Sequence, residues 1–221
     1  LPVTASSSGS APPAAAVAAP AVVVKGSAHR PRVMIRVFGQ VAVQSWPAGD
    51  QMVTRGMAVP VVLAVAGKAM QQSDLCELTS YSEATLKNTF PAGHAVVGRD
   101  RGVLYLADGV VGEHEWLATL VRSAAESVGA GRRADAVNAV IEALAFAQLV
   151  RGRSFETCPR SPDRRGGGNV WAWVDEPLPG EWRSPREIVC RRWVESLVLA
   201  VRLWRDLGAS EVFPESLVVE L

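Results

Sequence analysis

Two apolar-periodic stretches separated by Gly129-Ala130-Gly131 constrain this chain more than any other feature. Over residues 113–128, Trp116, Leu117, Leu120, Val121 and Ala124 recur at helical spacing, and over residues 134–150 Val137, Val140, Ile141, Leu144 and Ala145 do the same. The glycines between them force a reversal, so the pattern predicts an antiparallel helical hairpin. Two helices cannot bury two apolar stripes by themselves. Ser184-Pro185-Arg186-Glu187 announces a third, as a capping box with proline at the first helical position. That helix carries Ile188, Val189, Trp193, Leu197, Ala200, Val201 and Trp204 inward and ends at Gly208. Residues 211–221 read as a short tail with strand character.

The preceding part has a different grammar. Residues 1–30 are mainly Ala, Pro, Ser and Val, and Pro2, Pro12, Pro13 and Pro20 prevent a continuous helix, so they read as a linker whose Val22-Val23-Val24 end has edge-strand character. From Val33 to Val43 the β-branched richness of a strand appears, followed by a turn at Trp46-Pro47-Ala48-Gly49-Asp50. Residues 57–70 predict a buried helix with Pro60 in its first turn. Ser73 and Ser82 cap two shorter helices, the second ended by Pro91. Ala95-Val96-Val97 and Val103-Leu104-Tyr105-Leu106 then flank a Gly-bounded loop, Gly98-Arg99-Asp100-Arg101-Gly102, as a hairpin. Strand, three helices, hairpin is the order of a winged helix-turn-helix. The predicted class is therefore α+β and mainly helical. A winged-helix-like subdomain with a small antiparallel sheet occupies residues 31–110, a TPR-like helical subdomain residues 111–210, and the tail residues 211–221.

With 221 residues and 48% hydrophobic composition, the chain can bury a core without disulfide staples. A net charge of +1 supplies no global field for nucleic acid or an anionic membrane, so any such binding must come from a local patch. Three scattered cysteines, Cys76, Cys158 and Cys190, make neither a disulfide framework nor a zinc motif, and Cys76 and Cys190 read as small buried apolar residues. The longest apolar run falls well short of the ~20 residues a spanning helix needs.

No catalytic constellation stands out. His114-Glu115-Trp116-Leu117-Ala118 begins like a zinc-protease helix, but Ala118 occupies the place of the second imidazole, and the acidic residues are those a helix N-terminus favours. His29 and His94 lie elsewhere, so no metal and no cofactor are assigned. Arg164-Arg165-Gly166-Gly167-Gly168-Asn169 lacks the Lys-Ser/Thr of a phosphate-binding loop and reads as a surface loop. Trp116, Trp193 and Trp204 fall on inward faces. Trp171, Trp173 and Trp182 lie in a Pro/Gly-bordered segment where exposed Trp and Arg would form an interaction hot spot.

Three motifs carry a family resemblance. Leu149-Val150-Arg151-Gly152-Arg153-Ser154-Phe155 closes the second helix, Trp171-Ala172-Trp173 follows, and Ser82-Glu83-Ala84-Thr85-Leu86-Lys87-Asn88 opens the last helix before the hairpin. Together with the element order over residues 33–210, they resemble the winged helix-turn-helix and bacterial transcriptional activator domain of Streptomyces antibiotic regulatory protein (SARP) regulators, as a degenerate actinobacterial member. The resemblance implies a cytoplasmic regulator in which Lys87 and Asn88 on the recognition helix, with Arg99 and Arg101 on the wing, contact DNA. In that family the Trp segment packs on the helical hairpin; where it is exposed instead, Arg151, Arg153, Phe155, Trp171, Trp173 and Trp182 are the candidates for protein contacts. Pro91 ends the recognition helix early and the family's arginine-rich continuation is absent. The leading expectation is thus a non-catalytic protein-interaction module, part of a larger protein, with an unidentified protein partner. A DNA-binding regulator is the alternative, and a tethered domain of an exported or envelope-associated protein is a third.

Overall fold

The computed structural model describes residues 30–39, 41–53, 56–151, 174, 177–178, 181–213, 215 and 218. Most of the N-terminal linker, with its valine run, lies outside the described residues. Val33–Arg36 (β1), Ala42–Ser45 (β2) and Gln51–Val53 (β3) precede the helix Ala58–Ala66 (α1) and the two-residue strand Met70–Gln71 (β4). Gln72–Thr79 (α2), Glu83–Thr89 (α3), the hairpin Val97–Asp100 (β5) and Val103–Leu106 (β6), and Val110–Gly112 (β7) follow. Three long helices, Glu113–Gly129 (α4), Arg133–Val150 (α5) and Pro185–Asp206 (α6), lead to a 3-10 turn at Ala209–Glu211. The protein is α+β.

The strands form two sheets, ordered β3-β2-β1-β7 and β4-β6-β5. The first is mixed where the sequence reading expects a small antiparallel sheet: β2 runs antiparallel to β1, but β7 runs parallel to it, with Val33 opposite Val110 and Ile35 opposite Gly112. As a central strand packed by α1 and α4, β1 buries Val33, Met34 and Ile35 consecutively instead of alternating. β7 runs directly into α4, so a boundary between residues 110 and 111 falls inside a strand.

The ends of the helices follow their local chemistry. α1 is buried from Ala58 to Val65 and stops at Gly67, whose left-handed backbone lets its N–H donate to the Leu63 carbonyl. The helix expected over residues 57–70 is therefore shorter, and Met70 begins a strand. α4 closes with Gly131 at φ 71°, its N–H donating to Val128, while the Arg132 N–H donates to Ser127. That pair of bonds satisfies the last carbonyls and turns the chain into α5. At α6 the full capping box forms: the Ser184 hydroxyl accepts from the Glu187 N–H, and the Glu187 carboxylate accepts from the Ser184 N–H.

Other details differ from expectation. Residues 33–43 form two strands with a reversal between them, not one run. Gln71, not Ser73, holds the cap position of α2, and the Ser73 hydroxyl bonds Asp74 instead. Cys190 is exposed and Cys76 only partly buried. The tail is not a strand where it is described: Phe213 is buried, the Trp204 indole N–H donates to the Phe213 carbonyl (3.0 Å), and Glu215 and Val218 are helical.

One contiguous core runs from Val33 to Phe213. Its junction is aromatic. Phe38, beyond β1, meets Trp193 of α6 at 4.9 Å between ring centroids; Trp193 meets Phe146 of α5 at 6.2 Å; and Trp46, beyond β2, stands edge-on to Phe146 at 5.9 Å. Offset and edge-on rings at these distances add about 0.5–1.5 kcal/mol per pair beyond the area they bury.

Candidate interaction surfaces

The first surface is α3 with the β5–β6 hairpin. Ser82 caps α3 by accepting from the Thr85 N–H (3.1 Å), and the helix ends at the fully buried Phe90, before Pro91. Leu86 alone of the helix is buried, which leaves Glu83, Ala84, Lys87 and Asn88 exposed. Lys87 Nζ lies 4.0 Å from Glu83 Oε2, one turn away, so the cation shares its face with a carboxylate. His94 shapes the corner that follows: its Nδ1 accepts from the Val96 and Val97 N–H groups (3.2 and 3.3 Å), and its ring stands edge-on to Phe90. Burial lowers the His94 pKa.

The hairpin turn is two residues, Arg101-Gly102, not the five-residue loop expected. β5 therefore extends to Asp100, and alternation puts Val97 and Arg99 on the inner face opposite Leu106 and Leu104. Arg99 does not stand outward on a wing. Its Nε and Nη2 are shielded from solvent without hydrogen-bond partners, and its charge reaches Cys76 of α2. Burial, then Glu83, push the Cys76 thiol up, while Arg99 opposes them. Arg101 is the exposed arginine, at φ 46°, beside exposed Asp100. On the outer face the Tyr105 ring packs against Gly98, where a Cβ would meet it at 2.3 Å. Tyr105 is the solvent-facing aromatic of the hairpin, and the sequence reading did not single it out.

The second surface belongs to the helical half. Trp182 is 77% exposed, with the Arg183 guanidinium 3.9 Å from its ring centroid in a cation–π contact. It borders a groove of about 290 Å³ lined by Lys68, Glu181, Ile188 and Arg191. Ion pairs hold the charges there: Lys68 with Glu181 at 3.9 Å, Arg191 with Glu195 at 2.6 Å, and Arg192 with Glu115. Arg151 is exposed just beyond α5, its N–H donating to Gln148. Arg153, Phe155, Trp171 and Trp173 lie outside the described residues. Along α6, Val194 is 56% exposed, Val198 45%, and Leu199 is exposed beside them.

Between the two surfaces lies a junction that sequence reasoning took for helix-dipole chemistry. Glu113, at the start of α4, is buried, and its Oε2 accepts from the N–H groups of Val37 (2.9 Å) and Phe38 (3.1 Å), with Arg36 Nε 3.7 Å from Oε1. Neighbouring His114 is fully buried, its pKa lowered to about 3 by burial above all and by the Arg192 charge, against a raising effect of the Ala64 carbonyl. No signal within one chain identifies Val37 and Phe38 as partners of Glu113, because the contact spans 76 and 75 residues. Among the described residues, no group of three or more His, Cys, Asp or Glu converges to hold a metal ion, and no helix is long and apolar enough to cross a membrane. No protein-family model, curated protein or solved structure matches the chain.

Proposed function

We propose that this chain is a non-catalytic protein-interaction module in which a degenerate winged helix is continuous with a TPR-like helical unit, on the plan of a SARP-type regulator. The observation that carries the reading is the exposed apolar pair Val194 and Val198, one turn apart on the outer side of α6, a helix already packed against α4 and α5. Apolar side chains repeated at helical spacing on an outer face are what a partner surface uses. The DNA-reading equipment is thin by comparison. Lys87 shares its turn with Glu83, Arg99 faces inward, and Asp100 stands beside Arg101.

A DNA-binding regulator is the second reading, favoured by the joint exposure of Lys87 and Asn88 on a properly capped α3. Fluorescence anisotropy with random-sequence duplex DNA, at low and at physiological salt, separates the two. The interaction-module reading expects no binding at either. Binding that falls steeply with salt and weakens in Lys87→Ala or Arg101→Ala would overturn it, because counterion release is the signature of phosphate contacts.

A further inference from the structure

α6 is apolar over more of its circumference than its own fold uses. Val189, Ala200 and Trp204 are buried on the inward side. Roughly 110° further round, at 100° per residue, Val194, Val198 and Val201 recur on a second flank, and Val194 and Val198 are open to solvent. A helix that packs once needs a stripe only about 100° wide. From Val194 to Arg205 the flank runs roughly 16 Å, about three turns, the length over which an amphipathic helix places anchors in a groove.

We propose that this flank docks an acidic amphipathic helix of a partner protein. The proposal rests on the interaction-module reading and names the partner's chemistry. Its lower half is a groove of about 360 Å³ lined by Leu197, Val198, Val201, Arg202, Arg205 and Val218. Both charged lining residues are arginines, both are exposed, and neither pairs with a carboxylate among the described residues. This contrasts with Arg191 and Arg192 nearer the start of α6, which are held by Glu195 and Glu115. An apolar floor edged by guanidinium groups that are unpaired among the described residues complements apolar anchors interleaved with carboxylates, and arginine binds such carboxylates in a bidentate manner. One wall of the groove is Val218, from the C-terminal tail.

The test uses the full chain and two labelled synthetic amphipathic peptides, with leucines at every third or fourth position and either glutamates or lysines between them. Anisotropy should show the glutamate peptide binding, more weakly as salt rises, and the lysine peptide not binding. Arg202→Glu with Arg205→Glu should weaken the glutamate peptide by roughly tenfold or more and admit the lysine peptide. Val198→Asp, at an exposed position that leaves the circular dichroism spectrum unchanged, should abolish binding. Equal binding of both peptides, indifference to the arginine reversals, or no binding of the glutamate peptide at millimolar concentration would overturn the proposal. Concentration-dependent dimerisation lost in Val198→Asp would also overturn it, by seating a second copy on the flank, while leaving the interaction-module reading intact. That reading fails separately, in the duplex-DNA measurement.

Discussion

Gly112 and His114 are fitted to each other: a Cβ on Gly112 would lie 2.8 Å from Cε1 and 3.1 Å from Nδ1 of the imidazole, and 3.3 Å from the Cβ of Ala64. The ring is fully buried where β7 passes into α4. Gly112→Ala should therefore destabilise the protein by about 1–3 kcal/mol, as overpacking does, although Gly112 has an ordinary backbone conformation. Urea denaturation measures this, and an unchanged midpoint would show that the ring moves freely.

The same histidine makes folding sensitive to acid. Its pKa is about 3 in the folded chain against 6.5 in the unfolded one, so between those values the unfolded state binds the extra proton. Stability contributed by neutral His114 is complete above about pH 6.5 and is lost as pH falls toward 3, at up to about 1.4 kcal/mol per pH unit. Arg192 resists protonation, Glu115 lies 4.0 Å from Nε2, and neither ring nitrogen makes a hydrogen bond of normal geometry. His94, also lowered, contributes in the same direction. Against this background His114→Leu should flatten the stability profile between pH 6.5 and 4, with a change at pH 7 of less than about 1.5 kcal/mol. Denaturation midpoints across pH for the two proteins decide it; parallel profiles would exclude His114 as the acid-sensitive group.

The helical half of the fold is legible in the sequence because its signals are long and redundant. Apolar periodicity, paired glycines and a capping box agree over α4, α5 and α6. The sheets are less legible. β3, β4 and β7 are two or three residues long, too short to carry a period, and their pairing is set by distant segments. Arg99 shows how a small error in a turn becomes an error about a site. Glycines at 98 and 102 suggest a loop, but Gly98 is a strand residue that makes room for Tyr105, and the two-residue turn then places Arg99 inward. Lys87 and Asn88 are exposed as their capped helix implies, whereas the carboxylate beside Lys87 matters only once the turn is built.

Glu113 binds the end of β1 to the start of α4. Glu113→Ala leaves the buried Val37 and Phe38 N–H groups without their acceptor, each costing about 1–3 kcal/mol, so a loss of roughly 2–5 kcal/mol is expected. Glu113→Gln keeps a carbonyl oxygen within reach of both donors but gives up the Arg36 ion pair, and should recover part of that loss. Chemical denaturation orders the three proteins. Gln no better than Ala would mean that charge, not acceptance from the backbone, is what Glu113 supplies.

The aromatic junction leads to the expectation that the chain unfolds as one unit. Phe146 is 5% exposed and touches both Trp46, beyond β2, and Trp193 of α6, while Trp193 in turn touches Phe38. With β7 pairing to β1 and running into α4, neither half can open without exposing this cluster. Phe146→Ala should cost about 3–5 kcal/mol. It should lower the stability of sheet and helices together, so tryptophan fluorescence and far-ultraviolet circular dichroism ought to trace a single transition in both wild type and variant. If Phe146→Ala instead separates the two probes, with the fluorescence change preceding the loss of helix, the halves are independent folding units and the shared core is only a contact between them.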